Sequence, residues 1–204
     1  IERQPGRAGN DEITPGLGEL TTVIAPATWN VVTPLTTLVS VLAHRQGVSI
    51  PDAASQVLLA MGLPAELDLS NFDGVVAALS GNAVGSQVFA AHALVKDTVV
   101  EIAALFRNTG DALTDVDLPG LIVDQLADLI AGAEAPLNFG NATVIETLIR
   151  NVANETEVTL SDELVTSAST VIAATNQHIA SLVPVGSFAF LVQVAKVKHV
   201  SQGS

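Results

Sequence analysis

Cysteine and tyrosine are absent from this 204-residue sequence, and tryptophan and methionine each occur once. The lack of cysteine excludes disulfides and thiol catalysis, although it does not identify a compartment, because many large bacterial surface proteins also lack cysteine. Aromatic residues make up 3% of the chain, whereas hydrophobic residues make up 49%. The core must therefore consist of Leu, Val, Ile and Ala, which suit closely spaced helices better than an aromatic-rich binding cleft.

Basic residues are also scarce. Eight Lys and Arg stand against 21 Asp and Glu, which gives a formal net charge of −13. Such a charge repels both a phosphate backbone and an anionic membrane surface, so we expect no nucleic-acid partner. No apolar run reaches the length of about 20 residues that a membrane-spanning helix needs, so we also expect no membrane insertion.

The composition divides the chain into two parts. Residues 1–28 are predicted to be an arm or linker, rich at first in Gly, Pro and charge, with a β-branched stretch at 19–25 (ELTTVIA) that favours one short strand. Residues 29–204 are predicted to form one helical domain. The chain begins at Ile1 rather than Met, which indicates a processed protein or a fragment of a longer one.

Apolar residues recur at spacings of three and four from residue 33 onwards, which predicts an all-α fold. We expect a single bundle of seven to eight helices with a long central helix. Caps, prolines at first turns and glycines at ends place the predicted helices near 33–47, 49–62, 73–79, 84–106, 118–131, 141–152, 161–182 and 187–200. The buried face of the seventh is predicted to contain Leu164, Ala168, Val171, Ile172, Thr175, Ile179 and Leu182.

The four histidines, His44, His92, His178 and His199, are the first candidates for metal ligands or bases. No two of them lie three to five residues apart, so no helix carries a local metal-binding pair. His92 and His178 fall beside apolar positions of their helices. A histidine satisfied within the core is the commoner outcome for such positions, and we assign neither a functional role.

Two acidic loops, at 68–73 and 111–117, offer several hard oxygens that calcium would accept. Neither loop matches an EF-hand, and helix capping by Asp73 and Asp117 is the simpler explanation of the two residues, since each precedes an apolar helical run. There is no G-x-S-x-G turn and no phosphate-binding loop. We therefore predict no catalytic, cofactor-binding or metal-binding residue and expect the domain not to be an enzyme.

Asn176 lies in the middle of the seventh predicted helix, where Asn is unfavourable unless its amide finds hydrogen-bond partners. Such a residue can join two helices through a polar contact within the core. We expect Asn176 to fix helix packing rather than to form a site.

The segment at 29–39, WNVVTPLTTLV, resembles one that recurs in very large bacterial surface and adhesin-like proteins, where a β-sandwich or calcium-binding repeat runs into a helical module. The sequences MGLP at 61–64 and IAATN at 172–176 fit the same resemblance, which covers most of residues 19–202. It implies an extracellular, multidomain parent with a spacing, adhesive or assembly role. It carries over no catalytic residue.

Two functions follow as hypotheses. The first is a non-enzymatic structural or interaction module of an extracellular bacterial protein, with a protein partner or with self-association through the Phe-containing stretch at 187–192. The alternative is a carrier of a small apolar ligand, such as a lipid, pigment or haem, in a helical cavity, with His92 or His178 as a polar handle or axial ligand.

Overall fold

A computed structural model of the chain describes residues 23–109, 113 and 116–181. These residues contain seven α-helices and no β-strand, so the predicted all-α bundle is confirmed. The helices are α1 Pro34–Gln46, α2 Ile50–Ala60, α3 Gly74–Leu79, α4 Ala83–Arg107, α5 Leu118–Ala131, α6 Ala142–Glu155 and α7 Asp162–Ser181. The predicted eighth helix at 187–200 and the first part of the predicted strand lie outside the described residues.

Every described helix begins at a side chain that accepts a hydrogen bond from a first-turn amide. The accepting residues are Thr33, Ser49, Asp73, Asn82, Asp117, Asn141 and Ser161. Each cap satisfies an N–H that the helix itself leaves without a partner, which typically contributes about 1 kcal/mol. The short polar residues of the sequence therefore set where the helices start.

Helix α4 is the centre of the bundle and packs against α1, α3, α5 and α7. Its fully buried positions include Val88, Val99, Ile102 and Phe106. Around it, α1 also packs against α2 and α5, and α6 packs against α7. The 25 residues of α4 thus give one axis to which most of the other helices attach. None of the helices in the described ranges has the length and apolar character needed to cross a membrane.

Helices α3 and α4 cross at close range because glycine lies on both sides of the contact. A Cβ atom added to Gly74 would stand 2.7 Å from Cγ1 of Val88. A Cβ atom on Gly85 would stand 2.6 Å from the Cβ atom of Ala77 and closer still to the backbone of Ala78. Only hydrogen fits at these two positions, so the two glycines determine how closely α3 approaches α4.

The chain leading into α1 is held by two buried threonines. The hydroxyl groups of Thr36 and Thr37 donate hydrogen bonds to the Ile24 carbonyl oxygen over 3.3 and 3.0 Å, and the Ile24 N–H donates to Oγ1 of Thr37 over 3.0 Å. Oγ1 of Thr36 also accepts from the N–H of Thr33, which completes a capping box. The repeated threonine of the sequence TPLTT therefore fixes both the start of α1 and the approach of the preceding chain.

The predicted inner face of α7 is partly wrong. Val171 is 64% exposed and Leu164 is 40% exposed, whereas Ser169 and Asn176 are buried. Helix α7 packs mainly on α6 and α4, so a narrow stripe of it is covered. The covered stripe contains polar residues whose side chains form hydrogen bonds inside the bundle. The buried face of α7 therefore differs from the face that the apolar residues alone predict.

Replacing Gly85 with alanine should destabilise the domain by about 1–3 kcal/mol, because overpacking a close helix crossing forces backbone movement. Urea unfolding measured by circular dichroism would give the change. Gly132→Ala is the matched control, since a Cβ atom there would meet nothing closer than 3.8 Å. Equal stability of the Gly85→Ala and Gly132→Ala proteins would contradict the close crossing.

Candidate functional site

The structure places the described histidines in different surroundings. His44 and His178 are exposed on α1 and α7, so the predicted apolar setting of His178 is wrong. His92 on α4 is partly buried, and desolvation lowers the pKa of His92 to about 4, although the negative charge of Asp73 opposes this shift. His92 is therefore neutral at physiological pH. His199 lies outside the described residues.

One acidic side chain in each of the two candidate calcium loops caps the helix that follows. Asp73 accepts hydrogen bonds from the N–H groups of Val75 and Val76, and Asp117 accepts from Gly120, so the capping interpretation of both residues is confirmed. Within the described ranges, no group of three or more His, Asp or Glu side chains is arranged to hold a metal ion. The positions 111, 112, 114 and 115 lie outside those ranges.

Asp68 forms a compact polar turn with its neighbours. Its carboxylate accepts hydrogen bonds from the N–H and hydroxyl of Ser70 and from Nδ2 of Asn71 over 3.1 Å. These bonds lower the pKa of Asp68, with the Ser70 hydroxyl as the largest cause. Asn71 in turn accepts from Nδ2 of Asn30 over 2.7 Å, which links this loop to the segment before α1.

A groove of about 680 Å³ runs between α1 and α5, and its charged groups are paired with one another. Arg45 donates to Asp128 through Nε over 3.1 Å and to Asp124 through Nη1 over 3.2 Å, and Gln46 donates to Asp128 over 3.1 Å. The guanidinium group thereby clamps α1 to α5. The charged side chains that line this groove form a partly exposed ion-pair contact between α1 and α5.

Three charged residues lie together in the middle of α4. Lys96 is 2% exposed and Asp97 is 5% exposed, and neither is without a partner. Glu101 lies one helical turn after Asp97. Burial raises the pKa of Glu101 to about 7, and repulsion by Asp97 adds to this shift. This group was not predicted, because the helical spacing of the neighbouring valines indicates only an apolar face.

The α5–α6 loop (residues 132–141) is tied to two other helices. The N–H of Leu137 donates to the carbonyl of Ala60 at the end of α2 over 2.8 Å. From α7, Asn176 donates through Nδ2 to the carbonyl of Phe139 over 3.1 Å, and Gln177 donates through Nε2 to the carbonyl of Gly140 over 2.6 Å. Two consecutive amides of α7 thus bind two consecutive carbonyls of the loop.

The Asn176 side chain also reaches α4, where Nδ2 donates to Oγ1 of Thr98 over 3.0 Å. The expectation that Asn176 joins helices is therefore confirmed. The Phe139 carbonyl can only accept a hydrogen bond, so the side-chain atom beside it must be the NH₂ group, and the orientation of the amide follows. Oδ1 of Asn176 is buried and has no hydrogen-bond partner in the described part of the chain.

A cleft of about 410 Å³ opens where these segments meet. Its walls come from the end of α2, the first half of α4, the α5–α6 loop and the last turns of α7. The lining residues are Met61, Gly62, Leu63, Gln87, Ala90, Ala91, Leu94, Leu137, Asn138, Phe139, Gly140, Asn176, Gln177, Ala180 and Ser181. None of them carries a charge. The volume falls in the range of roughly 300–1,000 Å³ that is typical of small-molecule sites.

Replacing Asn176 with alanine should lower the free energy of unfolding by about 2–4 kcal/mol, because two buried hydrogen bonds are lost and a cavity forms. Gln177→Ala is the matched control: its bond to Gly140 is exposed, so the loss should stay below about 1 kcal/mol. Chemical denaturation of both variants gives the comparison. Similar losses for the two would contradict a special role for Asn176.

The raised pKa of Glu101 predicts a pH-dependent stability. The Glu101 carboxyl group binds its proton more tightly in the folded state than in the unfolded state, where its pKa is near 4.5. The stability that this proton binding contributes is therefore complete below pH 4.5 and is lost as pH rises through about 7. Glu101→Gln should therefore gain stability relative to the wild type across this window, by about 1–2 kcal/mol after allowance for partial exposure.

The comparison requires unfolding curves of both proteins at each pH, because His92 changes the stability with pH in the opposite direction to Glu101. Its lowered pKa removes stability as pH falls from 6.5 through about 4. The His92 contribution cancels in the difference between wild type and Glu101→Gln. A difference that stays constant from pH 4 to pH 8 would show that Glu101 is not perturbed.

No protein-family model matches the chain, and no curated protein or solved structure matches it either.

Proposed function

We propose that this domain is a non-enzymatic structural or interaction module of an extracellular bacterial protein. The observation that carries the proposal is the fixation of the α5–α6 loop from two sides, by Ala60 of α2 and by Asn176 and Gln177 of α7. A connection that is free in many helical bundles is here bonded to helices on both sides. The bundle is thereby suited to presenting a fixed surface.

The use of polar side chains supports the same proposal. Asp73, Asp117 and Asn141 cap helices, and Arg45 clamps two helices together. In each case a side chain that could serve chemistry instead caps a helix or joins two helices. Together these side chains fix the positions of the helices relative to one another.

The charge of the chain bears on the kind of partner. With a net charge of −13, two identical copies repel each other, whereas a protein surface rich in Lys and Arg is attracted. We therefore favour a protein partner with a basic contact surface over self-association. The resemblance of the segment at 29–39 to bacterial surface proteins supports an extracellular setting.

Antibody labelling of the source bacterium tests the location. Intact cells should be labelled by antibodies raised against the purified domain, to within about twofold of permeabilised cells, and brief protease treatment of intact cells should remove the signal. A cytoplasmic protein of the same cells serves as the control for lysis. Labelling that appears only after permeabilisation would overturn the extracellular assignment.

A second function, carriage of a small apolar ligand, is favoured by one specific observation, the uncharged and largely apolar lining of the cleft between α4 and α7. The cleft has Asn176 on its wall, while the histidine His178 is exposed in the last turn of α7. A haem or pigment held by a histidine therefore has less support than a ligand held by apolar contacts.

A further inference from the structure

We infer that residues 187–200 pack along the outer face of α4, in the same direction as α4, and that a lysine of this segment pairs with Asp97. The outer face is the side of α4 that points away from the core, and it contains Ser86, Ala90, Ala93 and Asp97. This placement extends the structural role proposed above and does not depend on the extracellular setting.

The outer face is buried although it lies outside the main hydrophobic core. Ala90 and Ala93 are 2% and 5% exposed, and Ser86 is fully buried. The main core uses a different set of α4 positions, about half a turn away: Val88, Ala91, Val95, Val99, Ile102, Ala103 and Phe106. The residues of the outer face are therefore covered by atoms other than those of the main core.

The described helices border the outer face. Helix α3 contacts α4 near Gly85 and Val88, and α7 bonds to α4 at Thr98, so these two helices lie on its flanks. Helices α1 and α5 share the main core with α4 and approach from the opposite side. Among the described residues, the contacts of these four helices leave the middle of the outer face to be covered by another part of the chain.

The buried part of the outer face has a defined length. Positions 83, 90, 97 and 104 are seven residues apart and lie on one stripe of α4. Ala90 and Asp97 are buried, whereas Ala83 and Ala104 are exposed. The cover is therefore shorter than the roughly 31 Å between the two exposed alanines. A helix over 187–200 would be about 21 Å long, which fits this interval.

The end of α7 delivers the chain to the start of this buried stretch. Ala180 lines the cleft together with Gln87 and Ala90, so α7 ends beside the first turns of α4. Residues 182–186 contain a proline and a glycine and have a length typical of connections between antiparallel helices. Because α7 is antiparallel to α4, a segment that turns back after α7 runs parallel to α4 and reaches the turn of Glu101.

The side chains of the two surfaces are complementary in size. The segment has an apolar stripe at helical spacing, made of Phe188, Leu191, Val192 and Ala195. The outer face offers the small side chains of Ala90 and Ala93, against which large side chains can pack densely. The Phe-containing stretch at 187–192 is then occupied within its own chain, so we do not expect self-association through it.

Charge favours the same placement. All 21 acidic residues precede residue 182, whereas residues 182–204 contain Lys196 and Lys198 and no Asp or Glu. In the parallel arrangement the two lysines lie near Asp97, which is 5% exposed. A carboxylate buried to this extent is stable only when it is paired or hydrogen-bonded. A segment whose charged side chains are all basic therefore suits this surface.

Cysteine pairs test the placement, because the chain contains no cysteine of its own. In the full chain, Ala90→Cys with Leu191→Cys should form an intramolecular disulfide under mild oxidation, read from gel mobility with and without reductant. Ala90→Cys with Val200→Cys is the matched control, since these positions are about 15 Å apart along α4 in the parallel arrangement. We expect about tenfold more of the first disulfide. A preference for the second pair would overturn the parallel direction, and equal amounts, or none of either, would overturn the docking.

Thiol reactivity tests whether this segment covers the outer face. The thiol of Ala93→Cys should react with Ellman's reagent about a hundredfold more slowly than that of Ala104→Cys. Adding Leu191→Asp, which puts a charge on the apolar stripe, should raise the reactivity of the Ala93→Cys thiol about tenfold. Gln193→Asp, on the opposite side of the segment, should change it less than about twofold.

Circular dichroism checks that the Leu191→Asp protein keeps its helix content, and the cysteine pairs decide the question if it does not. An unchanged reactivity of the Ala93→Cys thiol in a folded Leu191→Asp protein would show that other atoms cover the outer face and would overturn the docking.

The same thiol tests the pairing with Asp97. Lys196→Gln with Lys198→Gln should raise the reactivity of the Ala93→Cys thiol about fivefold, because the segment loses its charged contact. In an Asp97→Asn background the same lysine changes should have less than about a twofold effect, since the pair is already broken. Equal effects in the two backgrounds would overturn the pairing with Asp97 and leave the apolar docking in place.

Discussion

The side-chain amide of Asn176 is the contact on which the arrangement of this bundle depends. From one position on α7 it bonds to Thr98 on α4 and to the Phe139 carbonyl of the α5–α6 loop. A buried amide costs free energy unless its groups are paired, so an alternative packing of α7 that lost these partners would be penalised. Apolar contacts bring the helices together, and the amide selects one register among those that apolar contacts would allow.

Most of the fold could be predicted from the sequence because the helix signals are local. Thr33 with Pro34, Ser49 with Pro51, and Asp117 with Pro119 each mark a helix start within a few residues, and the structure has helices at these places. The long run of apolar residues in α4 was equally clear. These signals depend on neighbours in the chain and need no knowledge of tertiary contacts.

The predictions from sequence were wrong or incomplete where tertiary contacts determine which residues are buried. The inner face of α7 includes Ser169 and Asn176, which look like surface residues until their partners are known, and it excludes Val171. A helical cavity was one of the two hypotheses, but its place and lining were not predicted, because the walls of the cleft come from four separate segments. Likewise the raised pKa of Glu101 arises from burial, which a sequence pattern indicates only coarsely. The role of Asn176 was expected from its mid-helix position, but its partners were not.

The pairing of helices that are adjacent in the chain has a kinetic consequence. Helix α1 packs on α2, α3 on α4 and α6 on α7, so three hairpins can form from segments that are close in sequence. Contacts of this kind close only short loops, so the chain loses less conformational entropy on the way to the folding transition state. We expect these hairpins to assemble early and the contacts of α1 with α5 and of α4 with α7 to form last. The order of assembly would thus leave the amide of Asn176 to complete the native state.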